Sequence, residues 1–163
     1  MDPILIITTG GTIDKVYFDA KSEYEVGPPN ITRVLAELNL SITYQIVPLM
    51  RKDSLDMTDN DRALIYQAVN SASVNRILIT HGTDTMIQTA KHLVSLTGKT
   101  IVLTGALEPA LFKTSDALFN IGCGLGALQA LDQGVYIAMN GRIFNCLQVR
   151  KDPQKNRFVT LDK

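Results

Sequence analysis

Tryptophan is absent from this chain of 163 residues, cysteine and histidine occur twice each, and no net charge remains once 16 Lys and Arg are set against 16 Asp and Glu. Each shortage excludes something. Cys123 and Cys146 cannot build a disulfide framework. His81 and His92 have neither HExxH spacing nor a cysteine cluster nearby, so no metal site is expected. A balanced charge without a Lys/Arg cluster argues against nucleic acid as a partner. No apolar run approaches the roughly 20 residues that a membrane helix needs, so no membrane association is expected. The opening MDPILIITTGG carries an acid where a secretory leader carries bases, and it reaches glycine too early. A cytoplasmic protein forming one domain over residues 1–163 is the expectation.

What is present is a soluble-type composition, 45% hydrophobic and 20% charged, with enough apolar surface for a core and too much for disorder. Apolar, β-branched runs fall at residues 4–8, 42–47, 76–80, 100–104 and 135–139. ILIIT, ILIT and IVLT are nearly continuous, as strands covered on both faces are. Helical patterns lie between them: one after Asn30 as a candidate N-cap, with Ile31, Val34, Leu35 and Leu38 on one face. Another opens on a Thr58–Asp61 capping box, with Leu64, Ile65, Ala68 and Val69 as its apolar stripe. Two more occupy 85–96 and 115–131. This alternation predicts an α/β fold, a three-layer sandwich around a mostly parallel, doubly wound sheet with right-handed crossovers. Residues 14–29 read as a long polar loop, and 148–163 as either a terminal strand or a frayed end.

In such sheets ligands bind at the carboxyl ends of the strands. Thr9-Gly10-Gly11-Thr12 follows the first run, His81-Gly82-Thr83-Asp84-Thr85 the third, and Gly105-Ala106 the fourth. Glycine lets the backbone turn and expose its N–H groups, and threonine offers a hydroxyl that could attack an acyl carbon. There is no GxSxG elbow and no serine–histidine arrangement, so activation would fall to Lys, Tyr or a carboxylate, such as Asp84 with a lysine from elsewhere. Bland readings stand beside these: Thr85 as a helix cap, His81 as a hydrogen-bonded structural histidine, Asp84 as a first-turn acid. The glycines from Gly122 to Gly126 lie in a helical pattern without a preceding strand, so close packing explains them better than a dinucleotide fingerprint. Residue chemistry alone reaches a small-anion or acyl-group site.

TTGGTID (residues 8–14) and ITHGTDTM (79–86) resemble the two signature segments of the bacterial-type L-asparaginase/glutaminase family. SEYEVG (22–27) resembles its mobile lid, DSLDM (53–57) its substrate-carboxylate loop, TGA (104–106) its GA turn, SDALFN (115–120) the helix start beyond it, and 139–151 the segment ending in its lysine. The likeness runs along essentially the whole chain. It implies Thr12 as nucleophile and Tyr24 as the lid tyrosine hydrogen-bonded to it. It implies Thr83, Asp84 and Lys151 as the second threonine, aspartate and lysine. Ser54 and Asp84 would hold the substrate's carboxylate and amino group, with Gly11, Leu55, Gly82, Thr83 and Ala106 completing the binding surface. No metal and no organic cofactor is implied; backbone amides and threonine hydroxyls would stabilise an oxyanion.

Departures from the pattern accompany the likeness. The family's C-terminal domain, with its glutamate near the lid tyrosine, is absent from 1–163. Leu55 stands where a polar side chain is usual. Asp14-Lys15 replaces small residues and adds charge beside Thr12. Asp152-Pro153 follows Lys151 in place of a threonine. The resemblance thus implies an amidohydrolase releasing ammonia from L-asparagine or a related small amide through a threonine acyl-enzyme. The alternatives are a non-catalytic binder of aspartate-like acids and one half of a split enzyme. A homo-oligomer is expected.

Overall fold

Strand β1 (Ile4–Gly10) buries Ile4, Ile6 and Ile7 and ends at Gly10 and Gly11, whose φ angles of 102° and 91° lie where a Cβ is disfavoured. The computed structural model describes residues 2–161. A 3-10 turn (Thr12–Asp14) leads into β2 (Lys15–Phe18) and β3 (Glu23–Val26), which pair antiparallel. The stretch expected to be a loop is therefore largely a hairpin. Tyr17 faces Tyr24 across it with ring centroids 5.4 Å apart, a cross-strand aromatic pair, and Ser22 takes a left-handed turn near the tip (φ 53°).

Helix α1 (Asn30–Ala36) buries Ile31, Val34 and Leu35, but Asn30 is not its cap. Pro29 holds that position, and the Asn30 N–H donates to the Asp14 carboxylate, 2.8 Å away. Leu38 lies beyond the helix and is exposed. Strand β4 (Tyr44–Lys52) is displaced from the expected 42–47 and runs through Pro48; among the described residues it pairs only with β1, and an edge strand tolerates a residue without an N–H. Helix α2 (Asp59–Ser71) opens on the Thr58–Asp61 capping box, with both reciprocal bonds formed. Its inner face differs from the expected stripe. Ile65 and Val69 are buried, but Leu64 is exposed and Arg62 turns inward, its guanidinium held by Thr89 Oγ1 and the Met57 carbonyl at 3.2 Å each.

Then follow β5 (Arg76–Thr80), α3 (Met86–His92), β6 (Thr100–Thr104), α4 (Ala117–Ala130), β7 (Gly134–Met139) and β8 (Arg142–Asn145). The tail forms a hairpin of β9 (Val149–Asp152) and β10 (Arg157–Thr160), resolving the open reading of 148–161; residues 162 and 163 lie outside the described range. The six-stranded sheet has the order β4-β1-β5-β6-β7-β8, parallel except for β8. Ile77 and Ile79 point into a core with Ile65 and Val69 of α2 and Met86 and Ala90 of α3; Leu78 and Val102 point into another with Ile31 and Leu35 of α1 and Ile121 and Leu125 of α4. This is the three-layer sandwich. Gly124 lets α4 approach the sheet, since a Cβ there would stand 2.8 Å from Leu78 Cδ1. Strand order reverses between β1 and β5, so their carboxyl ends flank a crevice.

Candidate active site

The loops leaving β1 and β5 meet backbone to backbone. A Cβ on Gly11 would lie 2.5 Å from the Cα and N of Gly82, and one on Gly82 would lie 2.6 Å from Ser54 Cβ. Only glycine fits at either position. The Gly11 N–H donates to the Lys52 carbonyl, so this residue contributes space rather than a hydrogen-bond donor. Ser54 is buried: its carbonyl accepts from Thr85 Oγ1 at 2.8 Å and its Oγ from the Thr85 N–H at 3.3 Å, leaving its own O–H proton to donate elsewhere.

Lys151 reaches this crevice from β9. Its register partner on β10, Phe158, is buried in the core and anchors the hairpin. Lys151 Nζ lies 2.9 Å from Thr83 Oγ1 and 2.8 Å from Asp84 Oδ1, so the aspartate holds the amine against the hydroxyl. Thr83 is buried and Asp84 is half exposed. Thr12, in the 3-10 turn after Gly11, is partly buried, and its side chain makes no hydrogen bond among the described residues. Tyr24 is likewise not hydrogen-bonded to it. The Tyr24 ring instead packs edge-on against Tyr17 and against Phe112, whose centroid is 5.7 Å away. Ala106 is buried in the turn after β6, which Asp116 holds by accepting the Leu107 and Glu108 N–H groups at 3.0 and 3.1 Å. Leu55 is 71% exposed on the turn Ser54–Asp56 and presents apolar surface to solvent.

The family model described as asparaginase, N-terminal, matches residues 3–158. The chain belongs to the asparaginase family. It is 29% identical over 162 residues to a glutaminase-asparaginase of Acinetobacter glutaminasificans, aligning 91% of this chain with 49% of that protein. A probable periplasmic L-asparaginase of Haemophilus influenzae is 31% identical over 160 residues, covering 91% of this chain and 46% of its own length. The solved L-asparaginase of Thermococcus kodakarensis superposes with a TM-score of 0.86 at 25% identity, over 99% of this chain and 52% of that one. This family member therefore spans about half the length of the relatives it matches.

Thr89 and Arg62, which no motif in the sequence marks, support the site through His81. His81 is fully buried; Nδ1 lies 2.8 Å from the Gly82 carbonyl, which only accepts, so the proton sits there and Nε2 accepts from Thr89 Oγ1 at 2.8 Å. Burial, reinforced by the nearby Arg62 charge, pushes its pKa down to about 4. The ring thus stays neutral and fixes the Gly82 loop, the structural role read for it from sequence. Lys15 pairs with Asp53 at 3.2 Å, joining the hairpin to the Ser54 turn. The Leu55 N–H, with help from Lys15, holds the Asp53 carboxyl below the usual range. Asp14 does not place an open charge beside Thr12 as expected. Its side chain is buried and bonded to the Asn30 N–H, and burial pushes its pKa up to about 6 despite that bond and the Arg51 charge. Among the described residues no group of three or more His, Cys, Asp or Glu is arranged to hold a metal ion, and no helix is long and apolar enough to cross a membrane.

Proposed function

We propose that this asparaginase-family chain hydrolyses the side-chain amide of L-asparagine or a closely related small amide. The observation that carries the reading is Lys151, which arrives from a separate hairpin and bonds both Thr83 and Asp84 beside the Gly11–Gly82 contact. The Lys151 ammonium donates to Thr83 Oγ1 and to Asp84, so once it passes a proton to Asp84 its neutral amine can take the Thr83 proton. In the proposed reaction Thr12 Oγ attacks the amide carbonyl carbon, and its proton passes to the leaving nitrogen. The C–N bond breaks, ammonia departs, and an aspartyl ester remains on Thr12. Water then attacks the ester; its proton returns to Thr12 Oγ, with Thr83 and Lys151 as the relay, and aspartate is released. Ser54 and Asp84 hold the substrate's carboxylate and amino group. The Thr12 N–H serves the oxyanion.

The test is ammonia release from L-asparagine by the chain and by Thr12→Ala. Release by the first alone supports the reading; equal release by both removes Thr12 from the mechanism. Two observations favour a second reading, a binder of aspartate-like acids without turnover: Tyr24 is not bonded to Thr12, and Leu55 offers the substrate no polar group. A melting shift with L-aspartate in the absence of ammonia release from L-asparagine marks that outcome.

The chain is further proposed to self-associate. Leu118 and Phe119 on α4 and Ile143 on β8 are exposed, with Phe119 packed beside Gly141. Sedimentation at rising concentration should show a species heavier than the monomer, and a clean monomer throughout would contradict it.

A further inference from the structure

Asp14 stands at the neck of the Lys15–Val26 hairpin, two residues after Thr12. It is 2% exposed, and a carboxylate in such a place is costly unless its hydrogen bonds hold something together. Its bonds cross the neck. The Asp14 carbonyl accepts the Gly27 N–H at 2.8 Å, and Oδ1 accepts the Asn30 N–H at 2.8 Å. Next to it, the Ile13 carbonyl accepts Asn30 Nδ2 at 3.2 Å and the Ala110 N–H at 3.1 Å. The chain leaving β3 is thereby tied to the chain entering β2, immediately beside the turn that carries Thr12. Packing closes the same point: a Cβ on Gly27 would meet both Val16 methyls at 3.1 Å and the Asp14 carbonyl at 3.3 Å.

A hairpin joined to a domain through two strand ends can pivot unless its neck is bonded. Beyond the neck, the aromatic contacts of Tyr24 with Tyr17 and Phe112 and the Lys15–Asp53 pair act on exposed or half-exposed groups, where such contacts are weak. The buried bonds of Asp14 are the stronger constraint on the hairpin's orientation.

We propose that Asp14 is a positioning residue, a clasp at the hairpin neck that fixes where Tyr24 stands relative to Thr12. The proposal rests on the reading of Thr12 and Tyr24 as site residues. It does not make Asp14 a catalytic group, since its carboxylate is bonded to Asn30.

Trypsin under native conditions tests it, because Lys21 lies exposed near the hairpin tip and Lys155 lies exposed at the tip of the other hairpin as a control. Opening the clasp with Asp14→Ala should speed cleavage after Lys21 by roughly tenfold, with the rate at Lys155 unchanged, since cleavage follows the population of the opened segment. Asp14→Asn, which keeps an acceptor oxygen for the Asn30 N–H, should stay within about twofold of the parent. Asn30→Pro provides a second route if the alanine variant folds poorly. It deletes the N–H donor at a first helical position, where proline is well tolerated after the extended Pro29 (ψ 112°), and it should also speed cleavage after Lys21. In turnover of L-asparagine, Asp14→Ala should lower kcat more than it raises KM, with Asp14→Asn restoring most of the rate. Unchanged cleavage after Lys21 in both Asp14→Ala and Asn30→Pro, or an equal rise at Lys155, would overturn the clasp. If the parent chain releases no ammonia, the hydrolase reading fails, and the cleavage comparison, which needs no substrate, still decides the clasp.

Discussion

In the proposed reaction Lys151 is chemically central, yet its contacts make it thermodynamically minor. Its amine meets Thr83 at 2.9 Å and Asp84 at 2.8 Å, yet Asp84 is half exposed, and an ion pair so hydrated contributes about 1 kcal/mol or less. Lys151→Met should therefore lower ammonia release by a hundredfold or so while leaving the urea midpoint almost where it was. A large loss of stability with little loss of rate would reverse that assignment. The glycine–threonine turns containing Thr12 and Thr83 were legible because each follows a continuous apolar run, and strand ends are where parallel sheets place ligands. Lys151 was reached only through the family resemblance. The residues around it carry no local signal that their hairpin folds back to the end of β5, a contact between positions 68 apart in sequence. The inward turn of Arg62 and the burial of Asp14 were hidden for a related reason. Both are charged residues whose partners, Thr89 and Asn30, are supplied by other elements.

At the scale of elements, the strands covered on both faces could be read almost residue by residue. β5 and β6 occupy the predicted 76–80 and 100–104, because unbroken apolar runs leave no other way to bury them. The hairpin of β2 and β3 lies where the sequence reads as a loop, and that of β9 and β10 where it leaves a terminal strand and a frayed end as alternatives. β2, β3, β9 and β10 are four residues each, carry no continuous apolar run like those of the main sheet, and form two hairpins outside it, so neither length nor an unbroken apolar stretch marks them. The capping box at the start of α2 was visible in sequence because its chemistry is local. Thr58 Oγ1 accepts the Asp61 N–H at 3.2 Å and Asp61 accepts the Thr58 N–H at 2.8 Å. Thr58→Ala should cost about 1 kcal/mol in urea unfolding without changing the slope of the transition. A change well under half of that would mean that Lys52, also bonded to Asp61, satisfies the helix start unaided.

For the whole molecule, burial sets two titrations against each other. His81, whose pKa falls from 6.5 to about 4 on folding, contributes stability that is fully present above pH 6.5 and lost as pH falls through 4, because the unfolded chain takes the proton first. Asp14, raised from 3.8 to about 6, contributes stability that is full below pH 3.8 and lost as pH rises through 6. Between pH 4 and 6 the slopes oppose, so the parent's melting temperature should vary little there. Asp61, lowered to about 2 chiefly by Lys52, acts below that window. Asp14→Asn removes one side of the balance. Calorimetry of that variant should show a steeper loss of stability from pH 6.5 to 4, up to about 3 kcal/mol from His81 alone. Curves that run parallel for parent and variant would mean that Asp14 ionises in the folded chain much as it does in the unfolded one.

Mixing the chain with L-asparagine, quenching in acid and mapping the ester by mass spectrometry would test the proposed acyl-enzyme itself. An aspartyl group should appear on the peptide containing Thr12 and not in Thr12→Ala, with ammonia released in step with its formation. An ester on the peptide containing Thr83, or ammonia released without any ester, would contradict that proposal.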